Sequence, residues 1–375
     1  MAKKPLALYV HVPFCIKKCP YCAFYKTTFK QNLDVEPYID ALCKEVRFYR
    51  SYAGDYELKT LYFGGGTPSL LSPSSIERII KEIIAVFGRM PAEASIELNP
   101  SYLTKPKLRA WEQHGFNRVS VGVQAFQNHH LAFLGRDHTK EHILASLEAV
   151  SGFESVNIDL IYALKNQSLS DLVESLSLVK SFSISHLSAY ALTIEPDTPF
   201  KRKGTVLANE KTMLKQWELI CSFLEAEGFD HYAMGAFAKV NKRCVHNMFY
   251  WWRKDYIGLG PGAHSWFMGK RFKNRRSLQH YLNSSKPKMP KRACSKKESL
   301  KDFLLARTRL FDPIAYEQLL CLMTQHQFIA FKKMLCSLSA MNYVQCDDSC
   351  FSFTRQGRLL LDELLFNLWD SIEAV

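Results

Sequence analysis

The sequence lacks any long, uninterrupted apolar run. No window of its 375 residues approaches the roughly 18 consecutive apolar residues of a membrane-spanning helix. The apolar run that follows the first five residues is too short for a secretory signal peptide. These absences predict a cytoplasmic protein whose thiols stay reduced. The apolar content of 47% is ordinary and predicts a large globular domain with a smaller one beside it.

Acidic residues are scarce in one region. The formal net charge is +13, and much of the excess lies in residues 270–301, where Glu298 is the single acid among twelve lysines and arginines. A solvated linker face explains this composition most simply. The alternatives are contact with an acidic partner, with an anionic membrane surface or with nucleic acid. No nucleic-acid-binding motif accompanies the segment, so we expect no nucleic acid as partner and keep peripheral membrane contact as an alternative.

A disulfide framework is also missing, although the chain has eleven cysteines. Cys43, Cys221, Cys321 and Cys336 fall inside apolar helical patterns, and we expect them to be small buried hydrophobic residues. Their spacing shows none of the regularity of a small disulfide-rich domain.

Three other cysteines are close together, namely Cys15, Cys19 and Cys22 in a C-x3-C-x2-C spacing. The preceding run alternates like a strand and stops at Pro13, so the cysteines begin a loop at a strand end. Thiolates are suited to zinc or to iron–sulfur clusters. Structural zinc usually takes four protein ligands, and no fourth is evident here. Three cysteines on a four-iron cluster would leave one iron open to a small molecule.

Strand-like and helix-like segments alternate up to about residue 195. The strand candidates are 6–12, 58–63, 94–98, 118–124, 156–161 and 185–192, with helical patterns between them. This alternation predicts a parallel α/β sheet, with ligands at the carboxyl ends of the strands. Six units are too few for an eight-stranded barrel, and periodicity alone does not separate an open sheet from a partial barrel. Beyond residue 285, helical patterns and a short hairpin at 343–354 predict a separate module.

Together these motifs resemble the radical S-adenosylmethionine (SAM) superfamily. The segments that carry the resemblance are Tyr9-Val10-His11-Val12-Pro13-Phe14-Cys15, the cysteine spacing, Gly64-Gly65-Gly66-Thr67-Pro68 and Glu97-Leu98-Asn99-Pro100. More narrowly, the chain is similar to the family of oxygen-independent coproporphyrinogen III oxidase-like proteins, which includes the HemW-type heme chaperones. The resemblance implies a partial (β/α)6 barrel at 1–200, a barrel extension at 201–285 and a mainly helical, winged-helix-like domain at 286–375.

The resemblance also implies the cofactors, a [4Fe-4S] cluster and SAM, and the residues that hold them. Cys15, Cys19 and Cys22 would be the metal ligands. The SAM contacts would come from residues before the cluster loop and at successive strand ends: Tyr9, His11, Gly65, Gly66, Thr67, Glu97, Gln124, Arg136 and Asp159. From the residues alone, Glu97 or Asp159 would more simply be a helix cap or a surface acid, and Tyr9 or His11 a packing residue.

A second match lies at 246–251, where His-Asn-Met-Phe-Tyr-Trp has the form H-N-x-x-Y-W typical of the heme-chaperone branch. Histidine is a good axial ligand of heme iron, so His246 is a candidate heme contact, and packing at a core edge is the alternative. The following Gly258-to-Ser265 segment resembles the family's G-x-G-x-G-A-H-S. It is not a dinucleotide-binding fingerprint, because no helix opens at the right place.

Several positions depart from the family pattern. Ala163-Leu164-Lys165 stands where relatives have Gly-Leu-Pro, Ala23 stands where many have Asp, and Ala233, Gly235 and Ala236 replace polar residues. The oxidase has a further cysteine two residues after the third, where this chain has Phe24. It also has a long N-terminal extension, whereas here the first cysteine is residue 15.

Two functions are therefore open. The favoured one is a heme chaperone that binds heme as cargo and delivers it to an apo-hemoprotein, such as a membrane-bound apocytochrome, with a reductant such as flavodoxin or ferredoxin as a further partner. The alternative is an oxygen-independent coproporphyrinogen III oxidase, which decarboxylates two propionates of a porphyrinogen to vinyl groups. A purely structural metal protein is a third class, and the nearly intact set of SAM-contact positions argues against it.

Overall fold

Polar and apolar side chains alternate along the parallel strands, and this alternation defines the two faces of the sheet. In the strand Arg118–Gln124, Val119, Val121 and Val123 are fully buried, whereas Ser120 and Gln124 border the central cavity. The apolar face of each strand is covered by helices, as parallel sheets require. The structure, a computed structural model, describes residues 2–30, 34–284, 289 and 292–373.

The strands of the described residues are listed here in chain order and numbered accordingly. They are β1 (Lys4–Val12), β2 (Phe14–Cys15), β3 (Thr27–Thr28), β4 (Tyr56–Gly65), β5 (Glu93–Leu98), β6 (Arg118–Gln124), β7 (Ser155–Tyr162), β8 (His186–Ala191), β9 (Asp230–Ala233), β10 (Ala236–Ala238), β11 (Tyr256–Leu259), β12 (His264–Phe267), β13 (Lys270–Lys273), β14 (Ile314–Ala315), β15 (Val344–Cys346) and β16 (Cys350–Phe353).

The α-helices are numbered in the same way. They are α1 (Glu36–Phe48), α2 (Pro73–Phe87), α3 (Lys105–Gln113), α4 (Asn128–Phe133), α5 (Lys140–Ala149), α6 (Leu169–Lys180), α7 (Pro199–Arg202), α8 (Glu210–Ala226), α9 (Val245–Trp251), α10 (Leu278–Asn283), α11 (Lys296–Arg307), α12 (Glu317–Leu320), α13 (Gln325–Ala340), α14 (Arg355–Leu359) and α15 (Leu361–Glu373).

Helix α2 illustrates how local sequence sets these bounds. Ser72 caps its N-terminus by accepting a hydrogen bond from the Ser75 backbone N–H, and Pro73 occupies the first turn. The helix ends at Gly88, whose φ of +98° suits glycine. Its apolar stripe is buried against the sheet, with Ile76, Ile79 and Ile83 fully covered.

The main sheet has the order β13-β12-β11-β1-β4-β5-β6-β7-β8-β10-β9 within the described residues. The six strands β1, β4, β5, β6, β7 and β8 are parallel to their neighbours in sequence order, each linked to the next through helices. This confirms the predicted α/β class and the six-unit partial barrel. β11 extends the sheet parallel to β1, and antiparallel strands complete both edges.

The C-terminal part has its own hydrophobic core, which includes Leu304, Phe331, Phe351 and Leu368. It combines helices α11–α15 with a small antiparallel sheet in the order β14-β16-β15. This arrangement agrees with the predicted helical, winged-helix-like domain. The sequence prediction missed β14, a two-residue strand that pairs with β16.

The predicted domain limits of 1–200, 201–285 and 286–375 stay a proposal. The boundary between 285 and 286, and Lys286, Lys288 and Lys291 of the basic segment, lie outside the described residues. Separate cores for the barrel and for residues 300–372 support a division in this region.

Within the described ranges, no helix has both the length and the apolar character needed to cross a bilayer.

The prediction for the four isolated cysteines was half right. Cys43 and Cys221 are buried in the barrel core, but Cys321 and Cys336 are exposed. Cys321 immediately follows the short helix α12, and Cys336 lies on the solvent side of α13. An apolar helical pattern thus did not predict that these two thiols lie on the solvent-exposed side.

Candidate functional site

A cavity of about 820 Å³ lies at the carboxyl ends of the parallel strands. Its wall includes the cysteine loop, the ends of β4 to β8, one face of α9 and two side chains of the C-terminal domain. Its floor reaches inward to Arg118, Asn157 and His186 near the amino ends of β6, β7 and β8. The volume falls within the range of about 300–1,000 Å³ that holds sizeable organic ligands.

The cysteine loop is fixed at both ends. β2 pairs in parallel with β3, and backbone hydrogen bonds join Thr27 N to Pro13 O at 2.7 Å and Phe29 N to Cys15 O at 2.8 Å. Between these points the loop carries Cys15, Cys19 and Cys22, and all three line the cavity. The structure therefore brings the three predicted metal ligands together on one wall.

The sulfurs of the three cysteines do not all lie as close together as the ligands of a single zinc ion would. Sulfurs on one tetrahedral zinc lie about 3.8 Å apart, given Zn–S bonds of about 2.3 Å. Among the described residues, only His129, His130 and Asp171 place three ligand atoms within 4.8 Å of one another, and the cysteine loop does not. Polar groups approach two of the sulfurs: Thr67 Oγ1 is 3.8 Å from Cys15 Sγ, and Arg136 Nη1 is 3.5 Å from Cys19 Sγ.

The glycine run at the end of β4 packs tightly against β1 and the start of the cysteine loop. A Cβ on Gly65, whose φ is +109°, would lie 2.5 Å from the His11 ring. A Cβ on Gly66 would lie 2.6 Å from the carbonyl oxygen of Phe14. Only glycine lets these backbones approach so closely. Gly65, Gly66 and Thr67 all line the cavity, as the sequence predicts.

Two carboxylates face the cavity from neighbouring parts of the barrel. Glu97 accepts hydrogen bonds from the Tyr62 hydroxyl and the Gly65 N–H, both at 3.0 Å. Burial and the negative charge of Asp159 raise the pKa of Glu97 to about 7. Asp159 accepts from Ser120 and Asn157, and burial raises its pKa too. Two enclosed, mutually repelling carboxylates would gain from a ligand that donates hydroxyl hydrogen bonds.

Gln124 and Arg136 lie on the same side of the cavity. Gln124 has a φ of +68°, which is uncommon for a residue with a side chain, and the β6–β7 ladder is irregular just before it. Arg136 donates to Gly122 O at 3.0 Å, and its buried Nε has no partner among the described residues. An unpaired donor on a guanidinium next to the cysteine loop is well suited to an anionic ligand.

Tyr9 and His11 were predicted to line the ligand pocket, but they are not part of the cavity wall. The Tyr9 hydroxyl is 3.1 Å from His11 Nδ1, and His11 Nε2 is 2.8 Å from the Tyr25 carbonyl oxygen. Burial lowers the pKa of His11 to about 4, so its ring is neutral. His11 lies against Gly65 and connects β1 to Tyr25, which follows the cysteine loop.

The surroundings of His246 favour a packing role over the predicted role as a heme contact. Its side chain is 1% exposed and does not line the cavity. Nδ1 is 2.8 Å from Thr60 Oγ1, Nε2 is 2.7 Å from the Tyr250 hydroxyl, and the ring stacks on Tyr62. Both nitrogens are therefore occupied, and burial lowers the pKa of the imidazole to about 3. These contacts match the alternative of a packed histidine, and the heme-contact role stays a prediction.

The same motif nevertheless reaches the cavity through other residues. Asn247 and Trp251, four positions apart on α9, line the wall, whereas His246 and Tyr250 point into the protein. Residues with a separation of four share one helix face, which is the signal that could have identified them. Arg118, Asn157 and His186 on the cavity floor were also missed, although alternation along the strands would have placed them inward.

The departures from the family pattern have local structural consequences. Ala163 keeps a left-handed φ of +59° where relatives have glycine, a conformation that costs roughly 1–2 kcal/mol for a residue with a Cβ. Gly235 borders the cavity, and a Cβ there would lie 2.6 Å from the Ala189 carbonyl oxygen. Ala233 forms a bridge with Leu310 of the C-terminal domain. This segment, where the family pattern has polar residues, makes an apolar contact with Leu310.

Comparison with known proteins finds a matching family model and relatives that align over most of the chain. The family model described as "Radical SAM superfamily" matches residues 9–179. The Heme chaperone HemW of Buchnera aphidicola from Schizaphis graminum is 32% identical and the alignment covers 96% of this chain and 97% of that protein. The Heme chaperone HemW of Escherichia coli is 36% identical over 69% of this chain and 70% of its own length.

Among solved structures, the coproporphyrinogen III oxidase HemN of Escherichia coli, described as a radical SAM enzyme, matches with a TM-score of 0.85 and 26% identity. The match covers 98% of this chain and 90% of that one. The fold and the cysteine loop thus define a radical SAM protein. Within that superfamily, the chain belongs to the HemW-type branch of the HemN-like family. The family implies an iron–sulfur cluster and SAM.

Proposed function

We propose that this protein is a heme chaperone that binds heme in the barrel cavity and passes it to an apo-hemoprotein. The observation that carries the proposal is the mixed lining of the cavity. It combines polar groups, namely the three thiols, Arg136 and the two carboxylates, with the large apolar side chains of Trp217, Met234 and Trp251. A planar apolar macrocycle packs favourably on aromatic side chains. The names of the curated relatives agree with this reading.

We assign the polar groups of the cavity to the binding of the cluster and SAM. Cys15, Cys19 and Cys22 would hold three irons, and Arg136 would pair with the methionine carboxylate. Gly66 and Thr67 offer backbone groups to the amino group, the carboxylates of Glu97 and Asp159 would accept ribose hydroxyls, and Gln124 would add a polar contact. When bound, the pair of cofactors supplies one-electron chemistry. The protein's own part is to orient both groups and keep the site enclosed.

The reductant would approach the exterior of the cysteine loop. Lys17 and Lys18 are exposed on this loop, together with Ile16 at 42% and Phe24 at 68% relative exposure, and Lys17 and Phe24 also border the cavity. Two lysines beside exposed apolar side chains suit an acidic electron carrier such as flavodoxin or ferredoxin. The acceptor hemoprotein would sit at a membrane, with the basic segment 270–301 as the part of this chain that contacts the anionic surface.

Oxygen-independent coproporphyrinogen III oxidase is the second candidate, and the close match to HemN over nearly the whole chain favours it. The exposed side chain of Phe24, where that oxidase carries a further cysteine, argues against it. The oxidase reaction would need the porphyrinogen propionates beside the cluster end of the cavity. A heme carrier, by contrast, needs only to retain heme and to release it to the acceptor.

Two assays on anaerobically reconstituted protein distinguish the heme chaperone from the oxidase. One sample receives SAM, reductant and coproporphyrinogen III, and is analysed for decarboxylated product. A second receives heme and is analysed for bound heme after gel filtration, then for transfer to an apo-hemoprotein. We expect stoichiometric heme retention, transfer and no product. Product formation without heme retention would establish the oxidase instead.

A further inference from the structure

An ion pair from the C-terminal part of the chain lies on the cavity wall beside Met234. Arg309 Nη2 is 2.9 Å from Asp362 Oδ1, and both residues line the cavity wall. The arginine side chain is 31% exposed and the aspartate side chain 78%. Such exposed pairs contribute little to stability, so the arginine is exchangeable between carboxylates.

The backbone of Arg309 is held firmly against the barrel. Its carbonyl oxygen accepts a hydrogen bond from Met234 N at 2.8 Å, and the adjacent Leu310 bridges to Ala233. Met234 and Trp251 both line the cavity, and Trp251 packs edge-on against buried Tyr232. The guanidinium therefore extends from a fixed point at the edge of the apolar wall.

The other cations of the cavity wall have different surroundings. Lys17, Lys26 and Arg136 lie at the cysteine loop, where each donates to a backbone carbonyl. Arg118 lies on the floor and donates to the Ser155 hydroxyl. Among the described residues that line this cavity, Arg309 is the one cation in an ion pair with a carboxylate of the same wall.

We propose that Arg309 binds a carboxylate of the macrocyclic cargo, and that Asp362 occupies the guanidinium until the cargo arrives. This rests on the proposed heme-carrying function and deepens it by naming the group that recognises the propionate edge. The tetrapyrrole plane would lie along Met234 and Trp251, with a propionate directed at Arg309. One carboxylate replaces another, so the charge balance at the guanidinium does not change.

This exchange of carboxylates predicts that substitutions of Arg309 and Asp362 change heme affinity in opposite directions. Arg309→Gln removes the cationic partner of the propionate, so it should weaken heme binding about tenfold, because a hydrogen bond to a charged group is lost. Asp362→Asn removes the competing carboxylate, so it should tighten heme binding severalfold. Arg355 supplies a matched control, because it forms a surface pair with Glu225 and neither residue lines the cavity.

The experiment titrates wild type, Arg309→Gln, Asp362→Asn and Arg355→Gln with heme and with heme dimethyl ester, which lacks free carboxylates. We expect the Arg309 and Asp362 variants to change heme affinity in opposite directions, with unchanged ester affinity and no effect of Arg355→Gln. Equal heme affinity of wild type and Arg309→Gln, or the same loss for heme and ester, overturns the carboxylate assignment while heme carriage stands. If the wild type binds neither ligand, heme carriage itself fails and the assignment with it.

Discussion

The hydroxyl of Thr60 lies 2.8 Å from Nδ1 of His246, although the two residues are 186 positions apart in the sequence. This contact joins β4 of the barrel to α9, the helix that carries the H-N-x-x-Y-W motif. The Tyr250 hydroxyl occupies the other ring nitrogen of His246. The histidine therefore positions α9, and α9 in turn presents Asn247 and Trp251 to the cavity.

Replacement of His246 should affect stability rather than ligand binding. His246→Ala leaves the Thr60 and Tyr250 hydroxyls without their partner and opens a void beside Tyr62, so we expect the free energy of unfolding to fall by about 2–4 kcal/mol. Chemical denaturation measures this loss, and heme titration of the folded variant should give nearly the wild-type affinity. Asn247→Ala is the matched control and should show the reverse pattern. A large loss of heme affinity at unchanged stability would restore His246 as a ligand.

Gly66 tests whether the close approach of β4 to the cysteine loop is needed for cofactor loading. A Cβ at Gly66 would lie 2.6 Å from the Phe14 carbonyl oxygen and 2.8 Å from that of Val12, and both are backbone atoms that cannot rotate away. Gly66→Ala should therefore displace the start of the loop and lower the iron content after reconstitution.

Gly54→Ala is the control for that substitution, because a Cβ at Gly54 meets no atom within 4 Å. Iron and acid-labile sulfide per chain are the measured quantities, with circular dichroism to check the fold. Equal iron loading of the two variants would show that the loop does not depend on this contact.

Cluster loading also distinguishes the loop cysteines from the others. Cys15→Ala, Cys19→Ala and Cys22→Ala should each lose most of the bound iron and the SAM affinity that depends on it, because each thiolate is expected to hold one iron. Cys346→Ala, on β15 of the C-terminal domain and outside the cavity wall, should load normally. Wild-type SAM binding by all three loop variants would eliminate the cluster assignment.

Glu97 should make the stability of the cofactor-free protein depend on pH. Its pKa is raised from 4.5 to about 7 in the folded state by burial and by Asp159. Between those values the folded chain binds more protons than the unfolded chain, so stability is fully present below about pH 4.5 and is lost as pH rises to 7. The loss amounts to at most about 3 kcal/mol.

Glu97→Gln removes this titration and keeps a plausible geometry, since the amide oxygen can accept from Gly65 N–H and the amide nitrogen can donate to the Tyr62 hydroxyl. Urea unfolding of both proteins at several values between pH 5 and 8 should show a smaller decrease for the variant. Parallel curves for the two proteins would mean that Glu97 is ionised at its ordinary pKa in the fold.

The sequence predicts those parts of the structure that depend on local patterning. Strand β6 and helix α2 have their predicted limits, because alternation and capping residues determine them. The pairing of β11 with β1 has no local signal, since it joins residues some 250 positions apart through backbone hydrogen bonds. For the same reason, the cavity-lining role of Arg309 and Asp362 depends on domain packing and is not visible in the sequence.

Candidate site residues also divide into those that local patterning predicts and those that depend on tertiary packing. The helix that carries the motif at 246–251 meets the cavity through Asn247 and Trp251, whereas the His246 side chain is buried away from it, because helix phase and tertiary contacts decide which face meets the cavity. The residues at strand ends, such as Glu97 and Asp159, were predicted correctly to face it, since parallel strands all end at the same edge of the sheet.

Two adjacent tryptophans offer the sharpest test of where heme would lie. Trp251 lines the cavity, whereas Trp252 does not and instead has the Lys254 ammonium 4.6 Å above its ring. Trp251→Ala removes aromatic surface from the proposed heme wall and should weaken heme binding tenfold or more, since stacked aromatic contacts contribute about 0.5–1.5 kcal/mol beyond the area they bury. Trp252→Ala deletes the same side chain one position away and should leave the affinity within twofold of wild type. Heme titration, with unfolding curves to check stability, measures both. Equal effects of the two substitutions would place heme away from α9, because only one of the two rings faces the cavity.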